Sequence, residues 1–120
     1  MGKRILLVED EEDNMQILRD LLASTYELDE AVNGEKALAA VAAQRPDLIL
    51  MDIQLPIMDG YEATRRIKAD PALRSIPIIA VTSYALSGDE AKGREVGCDA
   101  YVTKPYSPRQ LLAKIREYLP

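Results

Sequence analysis

The stretch Leu48-Ile49-Leu50-Met51-Asp52 is an unbroken apolar run that ends in a carboxylate. A short, wholly apolar run is typical of a strand buried on both faces of a parallel sheet. The sheet then fixes the backbone of the run, while the Asp52 side chain emerges where the strand ends. This stretch therefore predicts a central strand with a functional group at its carboxyl end.

Three other apolar runs end in residues suited to phosphoryl chemistry. They are Leu6-Leu7-Val8 before Glu9-Asp10, Ile78-Ile79-Ala80-Val81 before Thr82-Ser83, and Ala100-Tyr101-Val102-Thr103 before Lys104-Pro105. In an open parallel sheet covered by helices on both faces, the functional crevice lies outside the carboxyl ends of the strands. Clustered carboxylates repel one another unless a divalent cation lies among them. If these runs are neighbouring strands, we expect a Mg²⁺ site that receives a phosphoryl group.

The whole chain alternates short β-like runs with helix-period stretches, which favours an α/β fold with a parallel sheet. The expected strands are Arg4–Val8, Tyr26–Ala31, Asp47–Met51, Pro77–Thr82 and Ala100–Thr103. The expected apolar helix faces are Met15, Leu18, Leu21 and Leu22; Ala37, Leu38, Val41 and Ala42; Ala63 and Ile67; and Leu111, Leu112, Ile115, Tyr118 and Leu119. We expect a single domain over residues 1–120.

Polar residues predict where three of the helices begin. Asp59 and Ser107 each have Glu or Gln three residues later, and Ser87 has Glu90, the spacing of a capping box. The helix after Ser87 offers only Ala91 and Val96 to a core and contains two glycines. Because each interior glycine costs about 1 kcal/mol relative to alanine, we expect this fourth helix to be weakly anchored.

Composition excludes several classes of function. The chain has 48% hydrophobic and 29% charged residues and a net charge of −5, which argues against direct binding to nucleic acid or an anionic membrane. It contains no histidine, which excludes histidine catalysis and imidazole metal ligands. Its single cysteine, Cys98, is interpreted as a small buried residue and fits a reducing cytoplasm. The sequence has no membrane-length apolar stretch and no secretory signal.

Each candidate residue has an ordinary structural interpretation when it is considered alone. Asp52 and the acidic pair Glu9-Asp10 could cap helices or turns. Thr82 could be a β-branched strand residue, and Lys104 a solvated loop lysine. Only their combination at successive strand ends indicates chemistry: a carboxylate nucleophile, acidic cation ligands, a hydrogen-bond donor and a point charge for a phosphoryl oxygen. The backbone carbonyl of Gln54 is a further candidate ligand for the cation.

Taken together, these motifs resemble the receiver domain of two-component response regulators. The residues that carry the resemblance are Glu9-Asp10, Met51-Asp52, Pro56-Ile57-Met58-Asp59-Gly60-Tyr61-Glu62, Val81-Thr82-Ser83 and Lys104-Pro105. The resemblance covers the chain from the first strand to the fifth helix. It implies a flavodoxin-like three-layer sandwich whose five parallel strands have the order 2-1-3-4-5, with five helices.

The resemblance also implies a role for each site residue. Asp52 is the phosphoacceptor, Asp10 and Asp52 are direct Mg²⁺ ligands, and Glu9 acts largely through metal-bound water. Gln54 supplies its carbonyl, and Lys104 neutralises charge and precedes a cis peptide bond to Pro105. Thr82 and Tyr101 form the switch pair. The implied partners are a sensor histidine kinase or histidine phosphotransfer protein and a downstream protein effector, which we expect to be bound in the cytoplasm through the fourth helix, fifth strand and fifth helix.

Three features depart from the pattern of that family. The acidic pair is Glu-Asp where Asp-Asp is common. Tyr84 is a large side chain two residues after the switch threonine, where we expect it to shield the acyl phosphate from water or to contact a partner. Tyr61, beside Asp59-Gly60, is interpreted as helix surface or partial core.

Two alternative functions remain. An aspartyl-nucleophile phosphatase would need a second aspartate two residues after Asp52 as general acid, but Gln54 is there and cannot transfer a proton. A phosphorylation-independent scaffold would be expected to have lost Asp52, Thr82 or Lys104, and the sequence has all three. We therefore expect a switch module that catalyses only its own phosphorylation and dephosphorylation.

Overall fold

A computed structural model of the chain describes residues 2–83 and 87–120. In these ranges the elements are β1 (Arg4–Val8), α1 (Glu12–Leu22), β2 (Glu27–Ala31), α2 (Gly34–Ala43), β3 (Leu48–Asp52), α3 (Gly60–Ala69), β4 (Ile78–Thr82), α4 (Ser87–Val96), β5 (Ala100–Thr103) and α5 (Pro108–Tyr118). Every strand pair is parallel, and the sheet order is β2-β1-β3-β4-β5. The expected α/β fold and strand order are confirmed.

Alternation along the buried strands divides the core into two faces. Because successive side chains point to opposite sides of a strand, Leu48 and Leu50 pack with α1 and α5, while Ile49 and Met51 pack with α2 and α3. All residues of β3 and β4 are buried, as expected for central parallel strands. The result is the predicted three-layer arrangement with β3 at its centre.

Four predicted strand boundaries differ by one residue from the observed ones: β2, β3 and β4 each begin one residue later, and β3 ends one residue later, at Asp52. Backbone chemistry accounts for the three later starts. Asp47 precedes β3, and its carboxylate accepts the Arg4 N–H at 2.8 Å. Tyr26 donates its N–H to the Leu22 carbonyl and so closes the last turn of α1. Pro77 has no N–H to add to a strand ladder, although its carbonyl accepts the N–H of Ile49.

The predicted helix starts are confirmed for α3 and α5, with one difference. Ser107 and Gln110 form a reciprocal capping box at α5. Asp59 accepts the Glu62 N–H at 2.9 Å, but the Glu62 side chain pairs with the arginines of α3 instead of completing a box. The structure includes Ser87 within α4, whereas the sequence predicts it as the preceding cap.

Three side chains lie differently from their predicted positions. Ala42 and Ala91, expected on inner faces, are exposed, because alanine is too short to favour either face of a helix. Tyr61 is a core residue that is 7% exposed and packs with Ile53 and Ala80. Within the described ranges, no helix has the length and apolar composition needed to cross a membrane.

Candidate phosphoryl and metal site

Strand register brings the acidic residues together. Val8 of β1 lies beside Met51 of β3, so Glu9 and Asp52 follow at adjacent strand ends. Both side chains are buried, Glu9 with 3% and Asp52 with 5% of its surface exposed. The apolar runs thus hold two carboxylates in a fixed position at the carboxyl edge of the sheet.

Lys104 joins these two carboxylates through its ammonium group. Its Nζ lies 2.9 Å from Oε1 of Glu9 and 3.0 Å from Oδ2 of Asp52. The backbone also fixes Lys104, since its N–H donates to the Thr82 carbonyl at 2.6 Å. The Lys104–Pro105 peptide bond is cis, which confirms that prediction. Four neighbouring strands therefore contribute to one cluster.

Asp10 completes a group of three carboxylates that could hold a cation. One oxygen from each of Glu9, Asp10 and Asp52 lies within 4.8 Å of the others. Asp10 is exposed, while the other two are buried, so the cluster opens to solvent on one side. Hard oxygen ligands from one or two carboxylates, together with water, are what Mg²⁺ prefers. The donor set fits that ion.

Electrostatics at the site oppose full ionisation. Burial raises the pKa of Glu9, and the neighbouring Asp52 raises it further, although Lys104 acts in the opposite direction. Burial also disfavours the charged form of Lys104, but its hydrogen bonds to Glu9 and Asp52 outweigh this effect and raise its pKa. Three carboxylates face one ammonium, so the cluster has an excess of negative charge that a divalent cation would neutralise.

The remaining predicted site residues surround this cluster. Thr82 is fully buried at the end of β4, one position beyond the Val81–Asp52 pair. Tyr101 is partly buried on β5, and a Cβ placed on Gly93 of α4 would lie 3.4 Å from its ring. Gln54 donates its N–H to Oδ1 of Asp52 at 3.0 Å. The roles of these residues as switch pair and carbonyl ligand stay predictions.

Tyr84 lies outside the described residues, so its expected shielding of the acyl phosphate, or contact with a partner, also stays a prediction.

Sequence reasoning missed a cavity beside Lys104. It has a volume of about 490 Å³ and is lined by Asn14, Ile17, Ser83, Lys104, Pro105 and Tyr106. Tyr106 is partly buried there, and burial raises the pKa of its hydroxyl. In the sequence, the signal that could have placed Tyr106 at the site is its position directly after Lys104-Pro105.

Gly60 belongs to the motif that carries the family resemblance, but the sequence did not reveal its steric role at the site. A Cβ at this position would lie 2.2 Å from the Asp52 carbonyl oxygen, so only glycine allows the loop after β3 to return this closely.

Comparison with known proteins gives concordant matches. Residues 5–116 match the family described as response regulator receiver domain. The polar-differentiation response regulator DivK of Brucella anthropi is 49% identical over 120 residues, covering 99% of this chain and 98% of the relative.

Solved structures agree with this match. The receiver domain of the sensor histidine kinase PA1611 from Pseudomonas aeruginosa, which has a magnesium ion coordinated in its active-site cleft, is 38% identical. It superposes with a TM-score of 0.91 and covers 99% of this chain and 98% of its own. A response regulator from Chloroflexus aurantiacus is 28% identical with a TM-score of 0.94, at the same coverage of 99% and 98%.

Proposed function

This chain belongs to the response regulator receiver domains of two-component signalling, and we propose that Asp52 is its phosphoacceptor. The observation that carries the proposal is the position of Lys104, whose Nζ lies 3.0 Å from Oδ2 of Asp52 beside a group of carboxylates. Lys104 fixes the orientation in which the Asp52 carboxylate attacks, and its ammonium group can pair with an oxygen of the incoming phosphoryl group.

The chemistry follows from this arrangement. An oxygen of Asp52 attacks the phosphorus of a phosphohistidine, a P–O bond forms, and the P–N bond of the donor breaks with its electron pair returning to the imidazole. Lys104 then pairs with a phosphoryl oxygen instead of both carboxylates. Glu9, Asp10, Asp52 and the Gln54 carbonyl would hold Mg²⁺, which neutralises charge on the transferring group.

The donor and the location are also part of the proposal. Because residues 1–120 contain no histidine, the phosphohistidine lies outside them, on a sensor kinase or a phosphotransfer protein. Receiver domains are signalling modules, and we assign no reaction to this one except its own phosphorylation and dephosphorylation. We place residues 1–120 in the cytoplasm as a single receiver domain that passes its signal to a protein effector.

Signal output depends on the contact between α4 and β5. A phosphoryl group at Asp52 would draw the Thr82 hydroxyl inward and leave space for the Tyr101 ring. Gly93 of α4 lies against that ring. Among the α4 residues whose side chains are described, Val96 is apolar and partly buried. We expect the contact between α4 and β5 to rearrange when α4 shifts, which would alter the surface formed by α4, β5 and α5.

The phosphoacceptor is tested by labelling with acetyl phosphate and Mg²⁺, followed by intact-mass measurement. We expect one phosphoryl group on the wild-type protein, none on Asp52→Asn, and none after chelation. Asp47→Asn is the matched control, because Asp47 precedes the same strand at the opposite edge of the sheet. Equally fast labelling of Asp52→Asn would refute the proposal.

The switch is tested separately by hydrogen exchange with beryllofluoride as the phosphoryl mimic. We expect the largest changes between residues 82 and 106. Changes confined to α1 and α2 would contradict the proposed output surface.

A further inference from the structure

The loop between β3 and α3 contains a residue in a strained backbone conformation. Ile57 has a φ of 68°, a region that β-branched residues rarely adopt. The Met58 N–H donates to the Pro56 carbonyl at 2.7 Å, so Ile57 is the central residue of a three-residue turn. Glycine or asparagine would occupy this conformation at a lower cost. Strain of this kind persists where the surrounding structure imposes it and is concentrated at functional sites.

The side chain of Ile57 gives the fold no compensating benefit. It is 79% exposed, more than any other large apolar side chain of the described residues. Burial in the core therefore does not account for an isoleucine here, and the strained turn keeps its apolar side chain in solvent. Both observations indicate that its contact lies outside the chain.

The position of the turn shows which surface it serves. The loop leaves β3 at Asp52 and returns to it at Gly60, whose N–H donates to the Ile53 carbonyl at 3.0 Å. Ile57 therefore lies in the loop that begins directly after Asp52, and it also lines a cavity with Asn33, Lys36 and Ala39 beside the start of α2. Ile17 of α1 is 53% exposed and lines the cavity that contains Lys104.

A third exposed apolar side chain supports the same assignment. Val32 is 48% exposed directly after the carboxyl end of β2. The neighbouring Gly34 donates its N–H to the Met58 carbonyl at 3.0 Å, which joins this loop to the turn that carries Ile57. In the described part of the chain, the large exposed apolar residues are thus Ile17 on α1 and Val32 and Ile57 in the loops that follow β2 and β3.

We propose that Ile57 is a specificity-determining contact for a protein phosphodonor. The inference rests on the proposed function, since it concerns the partner that delivers the phosphoryl group to Asp52. Asp52 is only 5% exposed, so a donor protein that brings a phosphohistidine to it must cover the surrounding rim. Apolar side chains of the donor then bury Ile57. A small donor such as acetyl phosphate enters the site without reaching Ile57.

The test compares the two kinds of donor on the same variants. Ile57→Asn keeps the positive φ accessible and removes the apolar side chain, whereas Ile57→Leu keeps an apolar side chain. The protein probe is the phosphorylated catalytic core of the host histidine kinase that labels the wild-type chain fastest, and the small probe is acetyl phosphate. Thr25→Asn, an exposed position at the opposite edge of the sheet, is the matched control.

We expect Ile57→Asn to lower kcat/KM for transfer from the kinase by roughly tenfold or more, the effect of losing one buried aliphatic side chain. Its labelling by acetyl phosphate stays at the wild-type rate, and its Tm rises because the backbone strain is relieved. Ile57→Leu and Thr25→Asn retain transfer from the kinase.

Several outcomes would overturn the inference. Unchanged transfer from the kinase to Ile57→Asn would show that the donor does not contact this residue. An equal loss with both donors would place the effect in the acidic site itself. Altered self-association in sedimentation, with unchanged transfer, would assign the turn to a contact between copies of this chain. If acetyl phosphate fails to label the wild-type protein, the proposed function fails, which is a separate result.

Discussion

Two largely buried lysines lie at opposite ends of the sheet, and their surroundings differ in charge balance. At the amino end, Lys68 of α3 donates to Oδ2 of Asp99 at 2.8 Å and to the carbonyls of Ile76 and Arg74 at 2.8 and 3.0 Å. The same Asp99 oxygen accepts the Ile78 N–H at 2.8 Å. One positive charge meets one negative charge, and each ammonium proton has an acceptor.

At the carboxyl end, Lys104 donates to Glu9 and Asp52, while Asp10 lies beside them. One positive charge meets three carboxylates. A balanced, fully bonded pair holds elements together, whereas an unbalanced one leaves charge for a ligand to neutralise. This difference supports the proposal that the Lys104 cluster is the functional site and indicates a structural role for the Lys68 cluster.

The largest expected effect comes from breaking the balanced cluster. Lys68→Met should lower the free energy of unfolding by roughly 3 kcal/mol, because it leaves Asp99 and two carbonyls without their donor. Urea unfolding measures this loss. Lys36→Met, an exposed lysine of α2, is the control and should change stability by less than about 0.5 kcal/mol.

We expect Lys104→Met, at the other end of the sheet, to lower the free energy of unfolding by less than Lys68→Met. In Lys104→Met, Glu9 can take up a proton, since its pKa is already raised, and Asp10 faces solvent. If Lys104→Met destabilised the protein as much as Lys68→Met, the distinction between the two clusters would be lost.

The second effect tests whether the unbalanced cluster takes a cation. Mg²⁺ should stabilise the wild-type protein, by about 2.7 kcal/mol when its concentration is one hundred times the Kd. Thermal unfolding with increasing Mg²⁺, and after addition of a chelator, measures this response. Asp10→Asn should lose most of it, and without Mg²⁺ this variant should be more stable than the wild type because a repulsive charge is gone.

Asp13→Asn is the matched control for the cation response, since Asp13 is an exposed acid of α1 outside the cluster. It should respond to Mg²⁺ like the wild-type protein. Equal loss of the response in Asp13→Asn and Asp10→Asn would indicate general electrostatic screening instead of a specific site.

The sequence predicted the Lys104 cluster but not the Lys68 cluster. The strand ends that carry Glu9, Asp52 and Lys104 follow apolar runs, so parallel pairing brings them to one edge. Lys68 and Asp99 are 31 positions apart, and neither follows a pattern that marks it for burial. Their pairing depends on how α3 and the loop before β5 pack, which is a tertiary property.

The burial of Tyr61 and the backbone conformation of Ile57 are also tertiary properties. Tyr61 is the second residue of α3, and its ring is buried against Ile53 and Ala80, with Nζ of Lys92 from α4 lying 4.8 Å from the ring centroid. The positive φ of Ile57 opposes the preference of its own residue type, so no local signal could predict it.

The smallest expected effect concerns how stability changes with pH in the absence of Mg²⁺. Burial raises the pKa of Glu9 in the folded protein above its ordinary value of 4.5, so the folded chain retains a proton that the unfolded chain has released. The resulting stabilisation is present below pH 4.5 and is lost as pH rises through the folded pKa. Glu9→Gln should remove this decline in stability. The measurement is the free energy of unfolding at a series of pH values, compared between the variant and the wild-type protein.

Glu30 of β2 provides a control of opposite sign. Its hydrogen bond to Arg19 lowers the pKa of Glu30, so its stabilisation is present above pH 4.5 and is lost as pH falls through the folded pKa. The Glu30→Gln difference profile should therefore slope in the direction opposite to that of Glu9→Gln. Because Lys104 offsets part of the effect of burial on the pKa of Glu9, we expect the Glu9→Gln slope to be shallow. Parallel slopes would contradict the assignment of Glu9 to a cluster with excess negative charge, because its carboxylate would then behave like that of a simple ion pair.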